Sequence, residues 1–313
     1  MSELFAHETV LPAEAVMALK PRAGGVYVDA TMGGGGHTRR LLDESAPDGI
    51  VIGVDQDERA IAHAEIWGRA FGRRLVVMRA NFASLSDVLS EIGVARVDGL
   101  LMDLGVSSVQ LDEADRGFSY QHDAPLDMRM DRRQRTSART LLAELSERQI
   151  TQILREYGEE KWASRIAAFI VRQRVAAPLE TTGQLVDLIK AAIPASARRD
   201  GPHPAKRSFQ ALRIAVNREL DVLADVLVRV PDVLAPGGRI AVISFHSLED
   251  RAVKQAFARA VKPCTCPPQQ PVCTCHKVPT LRLVTRKPIE PTADEVAGNP
   301  RARSAKMRVA ERL

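Results

Sequence analysis

A chain of 313 residues, 45% of them hydrophobic, can hold two domains or one domain with a large insertion. A net charge of +5 is too mild to announce a nucleic-acid partner, so the distribution of charge has to be read instead. No basic segment leading into an apolar stretch opens the chain, and no apolar run reaches the roughly 18 residues of a membrane span, so the expectation is a cytoplasmic protein.

Val26–Asp29 reads as a short apolar strand, followed by four consecutive glycines and a helix starting near His37. "GIVIGVD", ending at Asp55, is a second buried strand that stops at an acid. "ERAIAHAEIWGRAF" has helical apolar spacing, "RLVVMRANF" is a third strand, and "SLSDVLSEIG" a helix with Ser84 or Ser86 as N-cap. "VDGLLMDLGVSS" is a fourth strand. Strands alternating with helices imply right-handed βαβ units and a parallel sheet.

After Ser108 the pattern changes. From about Asp112 to Arg207 no clear strand is legible, and "SERQITQILREYGEEKWASRIAAFIVRQR" reads as two helices broken near Tyr157-Gly158. "TTGQLVDLIKAAI" is another helix, capped by Thr181 or Thr182. The alternating pattern then resumes. A long helical region is ended by Pro236-Gly237-Gly238, "GRIAVISF" is a fifth strand and "LEDRAVKQAFARA" a helix. "TLRLVTRKPI" and "AKMRVAERL" supply a final strand pair. The expected fold is α/β, mostly parallel and Rossmann-like, built from residues 1–111 and 208–313, with a helical insertion over 112–207.

A glycine-rich turn between strand and helix puts backbone N–H groups and a helix N-terminus beside a ligand. A dinucleotide fingerprint, G-x-G-x-x-G/A, fails here because Thr38 and Arg39 stand where its third small residue belongs. The D/E-x-G-x-G pattern of class I S-adenosylmethionine enzymes fits through Asp29, Gly33 and Gly35, with Thr31 in place of one glycine. Asp55, at the end of the next strand, suits a ribose diol in either reading. Asn81-Phe82 and Asp103 extend the site along the carboxyl edge of the sheet. A carboxylate closing the apolar strand "GLLMD" is rarely filler, because burying it unpaired is expensive.

Over almost its full length the sequence resembles the bacterial ribosomal RNA small-subunit methyltransferase H family, the 16S rRNA cytosine-N4 methyltransferases. The blocks that carry the resemblance include "YVDATMGGGGHT", "GVDQDERAI", "MDLGVSSVQLDEADRGFSY", "YGEEKWASRIA", "LAPGGRIAVISFHSLEDR" and "NPRARSAKMRVAER". The resemblance implies a class I methyltransferase domain with a helical insertion for substrate recognition. It further implies methyl transfer from S-adenosylmethionine to the exocyclic N4 of a cytosine in the decoding centre, and 16S rRNA within the small subunit as partner. A homodimer is left open. The implied cofactor positions are Gly35, Gly36 and His37, then Asp55, Phe82, Asp103 and Gln110, with Gly33 added from the glycine pattern.

Cytosine N4 is a weak nucleophile, since its lone pair is delocalised into the ring. An enzyme helps by accepting hydrogen bonds from the amino protons and aligning N4 with the S–CH3 bond. Many amino-methyltransferases place D/N/S-P-P-aromatic at the end of the fourth strand. Here the sequence is "DLGV", Asp103 to Val106, so Asp103 remains the candidate acceptor and the stacking residue must come from elsewhere. Phe118, Tyr120, Phe245 and His246 are the candidates, with His246 also a candidate catalytic residue. Two basic blocks, Arg129–Arg139 and Arg301–Arg312, suit RNA phosphate, although the first could instead form an internal salt-bridge network. All four cysteines lie within "CTCPPQQPVCTC", Cys264 to Cys275. They are compatible with a tetrahedral zinc site or with a reduced, exposed hairpin, and C-x-C is tighter than the usual C-x2-C knuckle. No metal is assigned from the sequence.

Overall fold

A computed structural model describes residues 9–199, 201–267, 269–270 and 272–313. The chain divides into two compact units, Met1–Gly105 with Leu220–Leu313, and Val106–Glu219.

In the first unit the order is α1 (Pro12–Leu19), β1 (Val26–Asp29), α2 (Gly36–Glu44), β2 (Ile50–Asp55), α3 (Glu58–Trp67), β3 (Leu75–Arg79), α4 (Leu85–Glu91) and β4 (Val97–Asp103). The second unit carries α5 (Ser108–Asp112), α6 (Ala138–Glu144), α7 (Glu147–Gly158), α8 (Ala163–Ala176), α9 (Thr182–Ala192) and α10 (Lys206–Asn217). α11 (Glu219–Val233) then leads back to β5 (Leu234–Ser244), α12 (Ser247–Val261), β6 (Leu281–Leu283), α13 (Ala293–Gly298) and β7 (Lys306–Arg312).

The seven strands form one sheet in the order β3-β2-β1-β4-β5-β7-β6. β1 to β5 pair in parallel, and β7 runs antiparallel to both β5 and β6. This order, with one reversed strand, is that of the class I S-adenosylmethionine-dependent methyltransferases. The central strands read as unbroken apolar runs because helices cover both faces of the sheet. Tyr27, Val28, Ile52, Leu100, Leu101, Ile240 and Ile243 are wholly buried between two apolar clusters, one on each face.

The second unit has its own core, in which Leu142, Ile150, Leu154, Ile166, Ile189 and Leu212 interlock. Its helices begin where side chains cap them. Ser137, Ser146 and Thr181 each accept from the third backbone N–H of α6, α7 and α9, and the residue there reciprocates. α10 belongs to this core through Phe209, Leu212 and Val216, so the unit reaches Glu219, past the Arg207 boundary read from sequence.

Three local differences from the sequence reading have physical reasons. The long helical region is two helices, split where Arg218 adopts φ 51 without glycine or proline to mark it. β5 starts at Leu234, since Leu234 already pairs with Val97 before an irregularity that absorbs Pro236–Gly238. Ser84 takes the N-cap position of α4 but makes no side-chain cap hydrogen bond; Asn81 caps the 3-10 turn before it, accepting from Ala83 N at 2.9 Å.

Candidate active site

In an open parallel sheet, ligands collect at the carboxyl ends of the strands. Three acids close three strands at that edge: Asp29 on β1, Asp55 on β2 and Asp103 on β4. The glycine turn leads from the first of them into α2. Gly33 and Gly35 have φ of 51° and 82°, in the left-handed region that side chains rarely adopt. A Cβ on Gly35 would strike the Trp67 ring, and one on Gly36 would strike Thr9. Glycine is therefore required here by the left-handed backbone and by close packing on Trp67 and Thr9, and the N-terminus of α2 follows directly.

Asp55 ties this turn to β2. Its Oδ2 accepts from Gly33 N and its Oδ1 from Asp57 N, both at 2.8 Å. A carboxylate has about four lone-pair directions, so acceptor capacity remains for two hydroxyls. Burial, opposed by these two hydrogen bonds, pushes Asp55 up to about 6. Asp29 is also buried and also pushed up to about 6, although Thr38 Oγ1 donates to it at 2.7 Å and Thr31 N at 3.3 Å.

Asp103 is the least satisfied of the three. Its backbone N–H donates to Thr31 Oγ1 at 2.7 Å, which fixes the strand end. Its Oδ1 is buried and has no hydrogen-bond partner among the described residues. Burial, then the charges of Asp29 and Glu249, hold this carboxyl well above the usual range. His37, in the first turn of α2, lies with Nδ1 3.8 Å from Asp103 Oδ2, while its Nε2 is 3.0 Å from the Val10 carbonyl. Burial pulls His37 down to about 4, so the ring is neutral at neutral pH.

β5 runs beside β4 with Ile243 opposite Asp103, so Phe245 and His246 follow just past the same edge. His246 caps α12 through Nδ1, which accepts from Glu249 N at 3.4 Å. Its Nε2 stands 3.2 Å from Glu249 Oε1, at an angle that makes no hydrogen bond. Glu249 is buried, and its Oε2 accepts from Phe245 N at 2.9 Å. Sequence reasoning missed Glu249, Thr31 and Thr38. An acid three residues after a cap, as in "HSLE", is the pattern that points to the first. Phe82 sits half-buried in the turn after β3, against the apolar cluster, and the neighbouring Asn81 Nδ2 donates to Gln56 Oε1 at 2.8 Å. Gln110 belongs to the second unit, on α5, where its Oε1 accepts from Ser107 N at 3.0 Å.

Several sequence candidates are occupied by packing. Phe118 is buried in the helical core, and Tyr120 stacks on His203 with ring centroids 4.6 Å apart and meets Phe209 edge-on. Phe245 packs against the apolar cluster of the first unit. In the block Arg129–Arg139, Arg129 pairs with Asp127, Arg132 with Asp115, Arg133 with Asp131 and Arg139 with Glu180. In the other block, Arg308 is bidentate to Asp250 and Arg312 donates to the Leu234 carbonyl. Much of the second block therefore locks β7 in place.

The edge fits S-adenosylmethionine by its own chemistry. Asp55 retains acceptors for a ribose diol, and the orphaned Asp103 Oδ1 can take a donor. Three raised carboxyls in one place also favour a ligand carrying positive charge.

Comparison with known proteins agrees with this chemistry. The chain is 57% identical over 309 residues to the "Ribosomal RNA small subunit methyltransferase H" of Symbiobacterium thermophilum, covering 99% of this chain and 97% of that one. The protein of the same name from Citrifermentans bemidjiense is 55% identical over 311 residues, covering 99% of this chain and all of the relative. A crystal structure described as a putative rRNA-methylase from Clostridium thermocellum aligns over 98% of this chain and 100% of that one, with a TM-score of 0.45 and 11% identity, too distant to add to the strand order. The model of one family, a methylase family, matches residues 4–313, which takes in every strand of the sheet, the acid-edged glycine turn and the whole helical unit: the chain belongs to the MraW methylase family.

Proposed function

We propose that this protein methylates the exocyclic N4 of a cytosine in the decoding centre of 16S rRNA, within the small ribosomal subunit. The name shared by relatives more than half identical over the full chain supports the RNA substrate. The observation that carries the amino chemistry is the buried, unpartnered Oδ1 of Asp103 at the end of β4.

S-adenosylmethionine supplies an activated methyl group on a sulfonium. Asp55 accepts from the ribose hydroxyls, and Gly33, Gly35 and Gly36 let the cofactor approach the backbone. Phe82 borders the adenine, while His37 completes the set of cofactor residues in the first unit. Asp103 accepts hydrogen bonds from the target amino group and stabilises positive charge that develops on N4. His246, whose Nδ1 accepts from Glu249 N, is the second polar group at this edge and the second candidate catalytic residue. The helical unit grips RNA by shape and by exposed arginines such as Arg135.

The test is transfer of a tritiated methyl group to naked rRNA, free small subunits and whole ribosomes, followed by nucleoside analysis. Label in N4-methylcytidine from a single site is expected. Label confined to another base, or none on any of the three substrates, overturns the reading.

A further inference from the structure

α12 ends at Val261 and β6 begins at Leu281. The connection, residues 262–280, is closed at its base by Thr280 N donating to the Ala260 carbonyl at 3.0 Å. None of its described residues is buried, and Val272 and Val278 are 70% and 72% exposed. A connection of this length whose described residues hold no helix, strand or core is uncommon in a compact domain, and each ordered residue costs about 1–2 kcal/mol of backbone entropy. Something other than apolar burial has to hold it.

The four cysteines of the chain converge there. Cys273 Sγ lies 3.7 Å from Cys264 Sγ, 3.8 Å from Cys266 Sγ and 3.5 Å from Cys275 Sγ, and Cys275 Sγ is 3.8 Å from Cys264 Sγ. All four sulfurs fall within 4.8 Å of one another. A tetrahedral ion with metal–sulfur bonds of about 2.3 Å has sulfurs about 3.8 Å apart, the separation seen here. Disulfides require about 2.05 Å, and all four cysteines are free. An iron–sulfur cluster, with inorganic sulfide inside its cysteine shell, needs more room than these separations leave. Backbone N–H groups turn toward the sulfurs, as in Thr274 N donating to Cys266 Sγ at 3.4 Å. Such bonds orient thiolate ligands and spread their charge. Lys262 and Lys277, just outside the first and last cysteines, offset the net negative charge of four thiolates around a divalent ion.

We propose that Cys264, Cys266, Cys273 and Cys275 bind one zinc ion in a closed tetrahedral site that holds residues 262–280 in shape. Four protein ligands leave no open position for water or substrate, so the ion is structural and the methyl-transfer chemistry proceeds elsewhere. The short C-x-C spacing is accommodated, since the arms Cys264–Cys266 and Cys273–Cys275 bring all four sulfurs within 4.8 Å of one another.

The test is metal analysis of the full-length protein, purified under reducing conditions and then given zinc alone and dialysed. One zinc per chain is expected. The double variant C264S/C273S should fall to background zinc while retaining the thermal transition and S-adenosylmethionine binding of the parent. Cobalt in place of zinc should give thiolate-to-metal charge-transfer absorption with intense tetrahedral bands. Trypsin should cut after Lys277 faster in the variant than in the zinc-loaded parent. The proposal is overturned if the reduced parent retains no zinc, if iron replaces it at one per chain, if mass analysis finds two disulfides, or if the double variant keeps its zinc.

Discussion

His37 and Asp103 reach each other from different elements, with Nδ1 of the ring 3.8 Å from Oδ2 of the carboxyl. The Val10 carbonyl can only accept, so the ring proton sits on Nε2 and Nδ1 presents a lone pair to Asp103. An ionised Asp103 faces that lone pair and the charges of Asp29 and Glu249 without a donor of its own. A protonated one faces a potential acceptor. Burial first, and then the charges of Asp29 and Glu249, hold the Asp103 carboxyl well above the usual range. The free protein is strained toward holding a proton there, and a ligand bringing donors or positive charge relieves the strain.

Asp103→Asn tests this. The amide can donate toward His37 Nδ1 and removes the repulsion, so the folded variant should be at least as stable as the parent by thermal unfolding. It loses the charge that N4 needs. At saturating S-adenosylmethionine the single-turnover methyl-transfer rate should fall by about ten-fold or more, the lower end of an acid–base contribution being about a hundred-fold, with rRNA binding little changed. Recovery of the parental rate at saturation would reassign Asp103 to cofactor binding, and the acceptor would be sought around Ser244 and His246.

Asp55→Ala should weaken S-adenosylmethionine binding by about 2–3 kcal/mol, the scale of hydrogen bonds to a charged group. It also frees Gly33 N and Asp57 N, so part of the loss reflects a looser turn. Titration calorimetry on the folded variant measures it. Parental affinity would remove Asp55 from the site.

Asp29 makes a pH-dependent prediction. Its folded pKa of about 6 lies above the ordinary 3.8, so between those values the folded state holds a proton that the unfolded chain has released. Stability from this residue is therefore present below the unfolded pKa and lost as pH rises through about 6. Asp29→Asn keeps an acceptor for Thr38 and removes the ionisation. Its thermal midpoint, compared with that of the parent, should improve steadily from pH 4 to pH 7. A difference independent of pH would show that Asp29 titrates normally.

Arg132 and Arg133 are engaged with Asp115 and Asp131, yet both pairs are exposed, and exposed pairs contribute only about 0–1 kcal/mol. RNA phosphate can compete for them. The triple variant R132A/R133A/R135A should weaken rRNA binding and leave cofactor affinity intact. It should also flatten the salt dependence, the log–log slope falling by about 0.7 for each single-strand phosphate that is no longer neutralised. An unchanged salt slope would confine these arginines to their intramolecular pairs.

The parallel core was legible because buried strands between helices need continuous apolar runs, and each of Asp29, Asp55 and Asp103 interrupts such a run where the strand must stop. The glycine turn was legible for the same kind of reason: a backbone that must stay bare excludes other residues. What sequence could not show was pairing at a distance. Arg308 and Arg312 resemble a phosphate-binding tail until β7 is seen to insert beside β5, where they meet Asp250 and the Leu234 carbonyl. Glu249 looks like a surface helix acid until its carboxylate turns back to Phe245 and His246. Tyr120 gives no sign of its partner, since His203 lies more than eighty residues further along the chain.

β7, last of the strands along the chain, lies between β5 and β6. During synthesis β6 therefore emerges with no partner, and β5 keeps one open side, until residues 306–312 have left the ribosome. The helical unit, complete by Glu219, has all of its core available earlier. Order of emergence thus separates the two units in time. The half bearing the acid edge closes last, through a pairing between residues some seventy positions apart. An open apolar strand edge invites intermolecular pairing, so a nascent chain stalled short of β7 should be far more prone to aggregate than one stalled at Glu219.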